Sequence, residues 1–421
     1  MGTVSSQELT DPDGVTVEND LPRSPAARTT RTHLICLSRA HNKFAITTYQ
    51  ELAKDGKKPN NILISPLCLG LGFGMIYLGA EGHTKDELYN AFHLDEVQEY
   101  HLLSAYAAVD WDILRSAMPK GCILEVAIRL FAHLDYKMCS TYEHLCINYE
   151  ISRLKPLDFY GRPDLARREI NKWVEDRTQG RIKDVLPLGI IDRDTRLFLI
   201  SAVHLKVHWY HPFDVKNTRK MAFYLTMKET LEVQMMNQQN SFRIGYLPKH
   251  DCDVLELPFS NVHLKMYIFL PRKADGIRKF EDKLNRALIE TLEDNIQEEY
   301  IDVFLPKFVH EIGWPPKDPI MKAGIKVVFK QEKADLSGID GSNDLFLKNV
   351  FHYVYIEVDE SGDDEFKGVS SHHHHDVGTS RPDIRPQRIF KADHPFCFYL
   401  RDDRTGAILF MGRIVRPVLA L

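Results

Sequence analysis

Residues 60–94, which read NNILISPLCLGLGFGMIYLGAEGHTKDELYNAFHL, contain the most apolar segment in the early part of the chain. Ser65 stands where its side chain can cap a helix, and Pro66 takes the first helical position, where a missing N–H leaves no bond unmade. The apolar run that follows ends at Gly79 and Gly82, as helices commonly do. It contains about fourteen apolar or small residues, whereas a helix that crosses a bilayer needs ~20. The stretch therefore predicts a buried core helix, and we expect no membrane span.

Beyond this helix, the apolar residues follow an extended rather than a helical period. Residues 196–213, RLFLISAVHLKVHWYHPF, are β-branched, aromatic and almost continuously apolar, which is typical of a strand covered on both faces. Residues 263–271 and 300–308 indicate further strands that prolines end or interrupt. Residues 394–418 contain two apolar runs around a polar DDRTG turn, which predicts a β-hairpin.

Two more segments have helical periodicity. In residues 165–182, apolar side chains recur at spacings of three and four, and Gly180 offers a stop. Residues 276–294 predict a single amphipathic helix. Helices thus cluster early and antiparallel strands late, so we expect an α+β fold in one domain over residues 33–421.

Composition limits the class of protein. A chain of 421 residues with 44% hydrophobic side chains can bury a large core. Its net charge of −5 is unlike the basic footprint of nucleic-acid-binding proteins, so we expect no nucleic-acid partner. The seven cysteines show no CxxC spacing, and we expect reduced, packed thiols.

The N-terminal segment differs in composition from the rest. Residues 1–32 are polar and rich in Pro, Ser, Thr and acids, which predicts a flexible polar extension. They contain no apolar run of the kind found in signal peptides. Two locations stay open: the cytoplasm, or the extracellular space after export without a leader.

No motif of a known catalytic chemistry is present. The sequence lacks G-x-S-x-G, P-loop, GxGxxG and H-E-x-x-H patterns, so we expect neither an enzyme nor a cofactor. Four adjacent histidines, His372, His373, His374 and His375, have metal-ligand chemistry and could take up Zn, Ni or Cu. A structural zinc site spaces its ligands through the fold, and other donors are absent nearby, so we expect adventitious binding and no metal site.

The chain resembles the serpin family, the serine-protease inhibitors that trap proteases by inserting a cleaved loop into their own sheet. The resemblance begins in residues 60–94 and continues, in the family's order, through INKWVEDRTQGRIKDVLP, HWYHPFDVKNTRKMAFY, KADLSGI and ADHPFCFYLRDDRTGAILFMGRIVRP. It covers about residues 38–416. It implies helices packed on a large mixed β-sheet plus two smaller sheets, with an exposed reactive-centre loop over about residues 360–390.

The resemblance also implies a function for the polar stretch EVDESGDDEFKGVSSHHHHDVGTSRPDIRPQRIF, residues 357–390. In the family this segment is bait: the protease attacks it, forms an acyl-enzyme and is carried along as the freed loop inserts as a new strand. A long exposed loop suits a substrate that must enter a protease cleft. We therefore expect a monomeric suicide-substrate inhibitor of a serine protease.

Residues of this chain match the family's functional positions. Ser65 and His352 match the shutter, where side-chain hydrogen bonds control how the central strands part. Trp209 matches the tryptophan beneath the point where the loop first inserts, called the breach, and Glu360 and Gly362 match the start of the hinge.

The hinge departs from the family's pattern. Inhibitory members usually follow the glycine with threonine and a run of alanines, whereas this chain has Asp363, Glu365 and Lys367 at alternate positions. Side chains alternate along a strand, so these three would share one face after insertion, and the resemblance implies that this is the face buried under helices. The departure leaves a second reading open, a non-inhibitory serpin that binds or carries a ligand, and a third, a simple protease substrate.

The arginines of the loop favour a trypsin-like target. Counting forward from Glu360 by the family's usual loop length places the cleaved bond near Asp376, whereas counting back from the C-terminal anchor places it near Arg381 to Arg385. Arg381 and Arg385 both precede proline, and trypsin-like proteases cleave such bonds poorly. Arg388 precedes Ile389 and has cleavable chemistry, but it lies close to the predicted anchoring strand. We rank Arg381 and Arg385 nearly equal and Arg388 third.

Overall fold

The computed structural model describes residues 31–54, 56, 59–97, 99–109, 122–148, 154–260, 263–362 and 388–418. Its helices are α1 (Arg31–Ala53), α2 (Pro66–Gly79), α3 (Gly82–Ala91), α4 (Glu99–Val109), α5 (Ser140–Asn148), α6 (Pro163–Arg177), α7 (Ile277–Glu281), α8 (Arg286–Glu290), α9 (Lys317–Lys322) and α10 (Ser337–Asp340). Residues 31 and 32, which we assigned to the N-terminal extension, are already part of α1.

The strands are longest in the second half of the chain. They are β1 (Ile62–Ile64), β2 (Ile123–His133), β3 (Lys155–Leu157), β4 (Leu197–Lys206), β5 (Arg219–Tyr224), β6 (Thr230–Leu247), β7 (Cys252–Pro258), β8 (Leu264–Pro271), β9 (Gln297–Pro306), β10 (Phe308–Trp314), β11 (Leu347–Val358), β12 (Arg388–Lys391), β13 (Phe396–Asp402) and β14 (Ile408–Ile414). The predicted α+β class and the C-terminal hairpin, β13 and β14, are confirmed.

The strands form two sheets. A mixed five-stranded sheet has the order β10-β11-β4-β2-β3, in which β11 and β4 run parallel and β10 and β2 lie antiparallel on either side of them. The other strands follow the order β1-β14-β13-β8-β7-β6-β9-β12, with β5 also paired to β6. The 18-residue strand β6 pairs with β5 over its first six residues, with β9 from Met235 to Ile244, and with β7 over its last four residues. What we expected as two smaller sheets is thus continuous through β6.

Strand β4 lies at the centre of the five-stranded sheet and is buried on both faces, as predicted. One face, with Leu199 and Val203, joins the core that contains α2. The other, with Phe198 and Ile200, joins the core beneath α6. Gly72 of α2 permits the closest approach, because a Cβ there would lie 2.8 Å from a methyl group of Leu199.

Helix α2 has the predicted bounds and cap. The Ser65 hydroxyl accepts a hydrogen bond from the Cys68 N–H, and Pro66 begins the helix. Twelve of its fourteen residues are buried. Among the described residues, no helix is long and apolar enough to cross a membrane.

The prediction of one amphipathic helix over residues 276–294 is wrong. The segment contains α7, α8 and a short 3-10 turn. Asn285 has extended backbone angles, and its side chain accepts the Leu288 N–H at 3.0 Å, so it caps a new helix rather than continuing the first. Apolar spacing alone did not reveal this internal cap.

Candidate functional site

The candidate site is the line along which β4 and β11 meet, here called the seam. The two strands are paired from Leu347 opposite Leu197 to Glu357 opposite Lys206, with one irregularity near the start. No other strand lies between them. The five-stranded sheet is therefore closed along its centre.

His352 holds the seam from below. Its side chain is fully buried on β11, and Nδ1 lies 3.1 Å from the Ser201 hydroxyl on β4. Nε2 accepts the backbone N–H of Ser65 at 2.9 Å, and the Ser65 hydroxyl donates to the carbonyl of Leu409 at 2.7 Å. The structure thus brings the two predicted shutter residues together across α2 and the sheet.

Burial decides the charge of this histidine. Desolvation lowers the pKa of His352 to about 3, so the ring is neutral at physiological pH. Because Nε2 accepts from Ser65, Nδ1 carries the ring hydrogen and donates it to Ser201. Ser201 stands at a shutter position where the family usually has asparagine, and because of this departure it was not among the predicted site residues.

Trp209, the residue that the resemblance assigns to the breach, lies at the upper end of the seam. Its indole N–H donates to the carbonyl of Asp359 at 2.7 Å, and its backbone N–H donates to that of Ser361 at 2.9 Å. The ring stacks on Phe259 at 4.7 Å. Trp209 also forms a parallel β-bridge with Gly362, so it holds the segment that leaves β11.

Gly362 is confined by its neighbours. A Cβ at this position would lie 2.3 Å from the Cβ of Pro212. A larger residue would therefore push the base of the loop away from Trp209. This close approach explains in physical terms why the hinge begins with glycine.

Glu360 is anchored by three elements. Its carboxylate accepts from the Thr218 hydroxyl at 2.8 Å and pairs with Lys307 at 2.7 Å, and its carbonyl accepts the Phe213 N–H. Burial disfavours the ionised carboxylate, but the bonds from Lys307 and Thr218 outweigh it and lower the pKa of Glu360. No local pattern pointed to Thr218 and Lys307, which are distant from Glu360 along the chain.

A second ion pair lies beside the first. Lys206, at the end of β4, contacts Glu357 at 3.0 Å and Asp359 at 3.5 Å, so it bridges the last residues of the seam. Burial opposes ionisation of Asp359, but hydrogen bonds from Ser361 and the charge of Lys206 keep its pKa low. The top of the seam is closed by charge as well as by backbone bonds.

Arg388 lies where the chain returns to the fold. It belongs to β12, which runs parallel to β9, and its guanidinium pairs with Asp253 and lies 3.9 Å from Glu299. This candidate bait arginine is therefore held within a sheet. Arg381 and Arg385 lie outside the described residues.

Other predicted site residues also lie outside the described part of the chain. They are Asp363, Glu365 and Lys367 of the hinge and the histidines His372, His373, His374 and His375. Within the described ranges, no group of three or more His, Cys, Asp or Glu side chains could hold a metal ion. All seven cysteines are free thiols, four of them buried.

Comparison with known proteins agrees with this geometry. The family model described as Serpin (serine protease inhibitor) matches residues 39–417. Leukocyte elastase inhibitor A of Mus musculus is 32% identical over 389 residues, which cover 90% of this chain and 99% of the relative. Antithrombin-III of Homo sapiens is 32% identical over 387 residues, covering 90% of this chain and 82% of the relative.

A solved structure supports the same assignment. Uncleaved ovalbumin superposes with a TM-score of 0.80 at 28% identity, covering 90% of this chain and 100% of the other. The family model extends over most of the chain and includes the seam, the shutter and both ends of the loop. The chain therefore belongs to the serpin family of serine protease inhibitors.

Proposed function

We propose that this chain inhibits a trypsin-like serine protease as a suicide substrate, by inserting its cleaved reactive-centre loop into the seam. One observation carries the proposal: the loop leaves β11 at the upper end of a closed seam, directly beside Trp209. Inhibitory relatives support it, since leukocyte elastase inhibitors and antithrombin-III match over 90% of the chain.

Strand direction supplies the driving force. β4 and β11 are parallel neighbours, whereas a strand that turns back after Gly362 would run antiparallel to both. Insertion would replace one parallel ladder with two antiparallel ladders, which are somewhat more stable per residue, and would add a full row of backbone hydrogen bonds. The closed sheet therefore stores free energy that an inserted loop would release.

The contacts at the seam keep that energy from being released early. Before a strand can enter, His352 must part from Ser201, and β4 must part from β11 along the paired region. An intact loop is held at both ends, by Glu360 at its base and by β12 at its return. Cleavage frees one end, so insertion follows proteolysis.

The loop sequence favours a trypsin-like target. A guanidinium fits the acidic specificity pocket of such proteases, and Arg381 and Arg385 are the candidates. The Arg388–Ile389 bond is a weaker candidate, because a protease needs an extended, accessible segment and Arg388 is paired within β12. The observation favours a cleaved bond on the N-terminal side of β12.

Incubation with trypsin tests the proposal. Inhibition by this mechanism produces a covalent complex that survives SDS, and mass spectrometry of the released C-terminal fragment identifies the cleaved bond. Cleavage without any SDS-stable complex, at every ratio of inhibitor to protease, would show that the chain is only a substrate.

A second candidate function is binding or carriage of a ligand without inhibition. The charges of Asp363, Glu365 and Lys367 favour it, because burying an unpaired charge costs several kcal/mol. A chain of this kind is cleaved without insertion. Its melting temperature would then stay unchanged after cleavage, whereas an inserted loop raises it strongly.

A further inference from the structure

His204 is a buried titratable group to which the proposed mechanism assigns no role. It lies on β4 with 1% of its surface exposed. Neither ring nitrogen has a hydrogen-bond partner among the described residues. A neutral imidazole carries one donor and one acceptor, so both are unmet in a place that excludes water. Such a ring is tolerated only while it carries no charge.

His204 contacts the neighbouring strand across the seam. It lies opposite Tyr355 of β11 in the register, and the two rings meet edge-on at 5.0 Å between centroids with an angle of 87°. His352 contacts Ser201 on the other face of the sheet, since residues three apart on a strand point to opposite faces. The seam is therefore crossed by a histidine contact on each face.

Two cations face His204. Lys206 lies two residues further along β4 on the same face. Arg181 comes from the segment after α6, and its guanidinium carbon lies 6.0 Å from the centre of the Tyr355 ring. Both positive charges act against a proton on His204 while the strands are together.

Three acidic side chains lie on this face, those of Glu125, Glu357 and Glu311, the last opposite Tyr355 on β10, and among the described residues none of them bonds to the His204 ring. Glu125 of β2 is the other register partner of His204, and its carboxylate accepts from the Gln179 side chain at 2.5 Å. Glu357 of β11 pairs with Lys206 at 3.0 Å. No carboxylate within hydrogen-bonding distance of His204 is therefore available to stabilise its charged form.

We infer that His204 is a proton-sensitive latch on the seam, which opens when its ring is protonated beside Tyr355, Arg181 and Lys206. Protonation adds a third positive charge beside Arg181 and Lys206, at a buried position next to the line where β4 and β11 meet, and separation of the strands lets water reach it. The effect on loop insertion rests on the proposed inhibitory function, whereas the opening of the seam does not.

The sign follows from the two states of the ring. Burial first, and then Arg181 and Lys206, lower the pKa of His204 to about 4 in the closed sheet, while an exposed histidine titrates near ~6.5. Because the pKa of His204 is lower in the closed sheet than in an exposed state, the closed sheet is favoured at pH values above the pKa of an exposed histidine. This preference is lost as pH falls toward the lowered pKa of the closed sheet. Between these limits, opening becomes about tenfold easier for each pH unit.

Hydrogen–deuterium exchange on the intact chain measures this opening. Peptides that contain β4 and β11 are followed by mass spectrometry at about pH 7.5 and about pH 5.5, and each rate is divided by the intrinsic rate of an unstructured chain at that pH. We expect the protection of seam amides to fall by about tenfold or more between the two conditions.

Two variants separate His204 from other titrating groups. His204→Phe keeps an aromatic ring against Tyr355 but cannot bind a proton. The fall in seam-amide protection between the two pH values should therefore be about tenfold smaller in this variant than in the wild-type chain. His310→Phe is the matched control: His310 is also buried, with its pKa lowered to about 4, but it lies on β10 opposite Ile356, away from the seam. It should leave the pH effect on seam amides unchanged.

The outcomes are distinct. Equal pH effects in the wild-type chain and in His204→Phe, or no pH effect in the wild-type chain, would overturn the inference. If the Phe variant does not fold, His204→Leu gives the same comparison. Because exchange needs no protease, the result stands whether or not the chain traps trypsin, so failure of the inhibitory proposal is separately visible.

Discussion

Glu360 and Lys307 form an ion pair at the top of the seam, with 2.7 Å between Glu360 Oε2 and Lys307 Nζ. The glutamate belongs to the base of the loop, and the lysine directly precedes β10, the strand beyond β11. One interaction thus ties the loop to a strand that takes no part in the seam. Before the loop can move into the sheet, this ion pair must break, or Lys307 must move together with Glu360.

Replacing Glu360 by glutamine should destabilise the closed form. Lys307 would lose its carboxylate, and because about a third of its side chain is exposed, we expect a loss of about 1–3 kcal/mol rather than the full cost of a buried pair. The melting temperature at neutral pH measures the loss. Glu229→Gln, which breaks an exposed pair with Arg416, is the control and should change it little.

The same pair has a defined pH dependence. The pKa of Glu360 is lowered in the fold, so its contribution to stability is present above its usual value near ~4.5 and disappears as pH falls through the lower folded value. The difference in melting temperature between wild type and Glu360→Gln should therefore shrink toward zero below about pH 4. A difference that persists in acid would contradict an electrostatic origin.

Removing the Ser201 hydroxyl should weaken the shutter. Ser201→Ala leaves the Nδ1 hydrogen of His352 unpaired in a fully buried position, which typically costs about 1–3 kcal/mol. We expect a lower unfolding midpoint in urea. The matched control is Ser38→Ala, because the buried Ser38 hydroxyl has no hydrogen-bond partner among the residues that the structure describes, so its loss should cost little. Equal destabilisation by both variants would show that the Ser201 bond contributes little.

The two candidate bait arginines can be told apart by substitution. Alanine at the true site, Arg381 or Arg385, should abolish inhibition of trypsin, whereas alanine at the other should spare it. Inhibition assays with mass mapping of the cut decide between them. Arg388→Ala should keep inhibition while lowering stability, since Asp253 would lose one of its two arginine partners. If only Arg388→Ala removes inhibition, the cleaved bond lies at β12.

The charged hinge should make this chain an inefficient trap. Insertion would place Asp363, Glu365 and Lys367 on the buried face, so slow insertion gives the protease time to complete hydrolysis. Changing them together to Thr, Ala and Ala should raise the fraction of trypsin trapped per loop cleaved. The control is Asp364→Ala, which alternation places on the opposite face. If the natural sequence traps about one trypsin molecule per loop cleaved, this prediction is wrong.

Local sequence was sufficient for the elements whose signals are local. The cap at Ser65, the start at Pro66 and the fully apolar strand around Ile200 all appear in the structure as predicted. The segment around Asn285 was misread because a cap within an amphipathic pattern looks like one more exposed polar residue. Apolar periodicity predicts which face of a helix is buried, but it does not show where one helix ends and the next begins.

The functional site was predictable only in part, for a physical reason. The resemblance identified His352 and Glu360, but Ser201, which bonds to His352, and Thr218 and Lys307, which bond to Glu360, come from strands and turns far along the chain. Neither they nor His204 carries a pattern of its own. The contacts of these side chains depend on strand register and on burial, and neither can be read from a single position in the sequence.

The position of β13 and β14 has a consequence for what a cut in the loop can do to the molecule. These two strands lie between β8 and β1, and Arg413 of β14 forms a buried double contact with Glu281. A break anywhere from residue 363 to 387 yields two polypeptides, but the shorter one is built into the middle of a sheet. The nicked protein should migrate as a single particle on a sizing column and come apart only in denaturant. Cleavage of the loop should therefore free one of its ends, while the C-terminal fragment stays bound through β13 and β14.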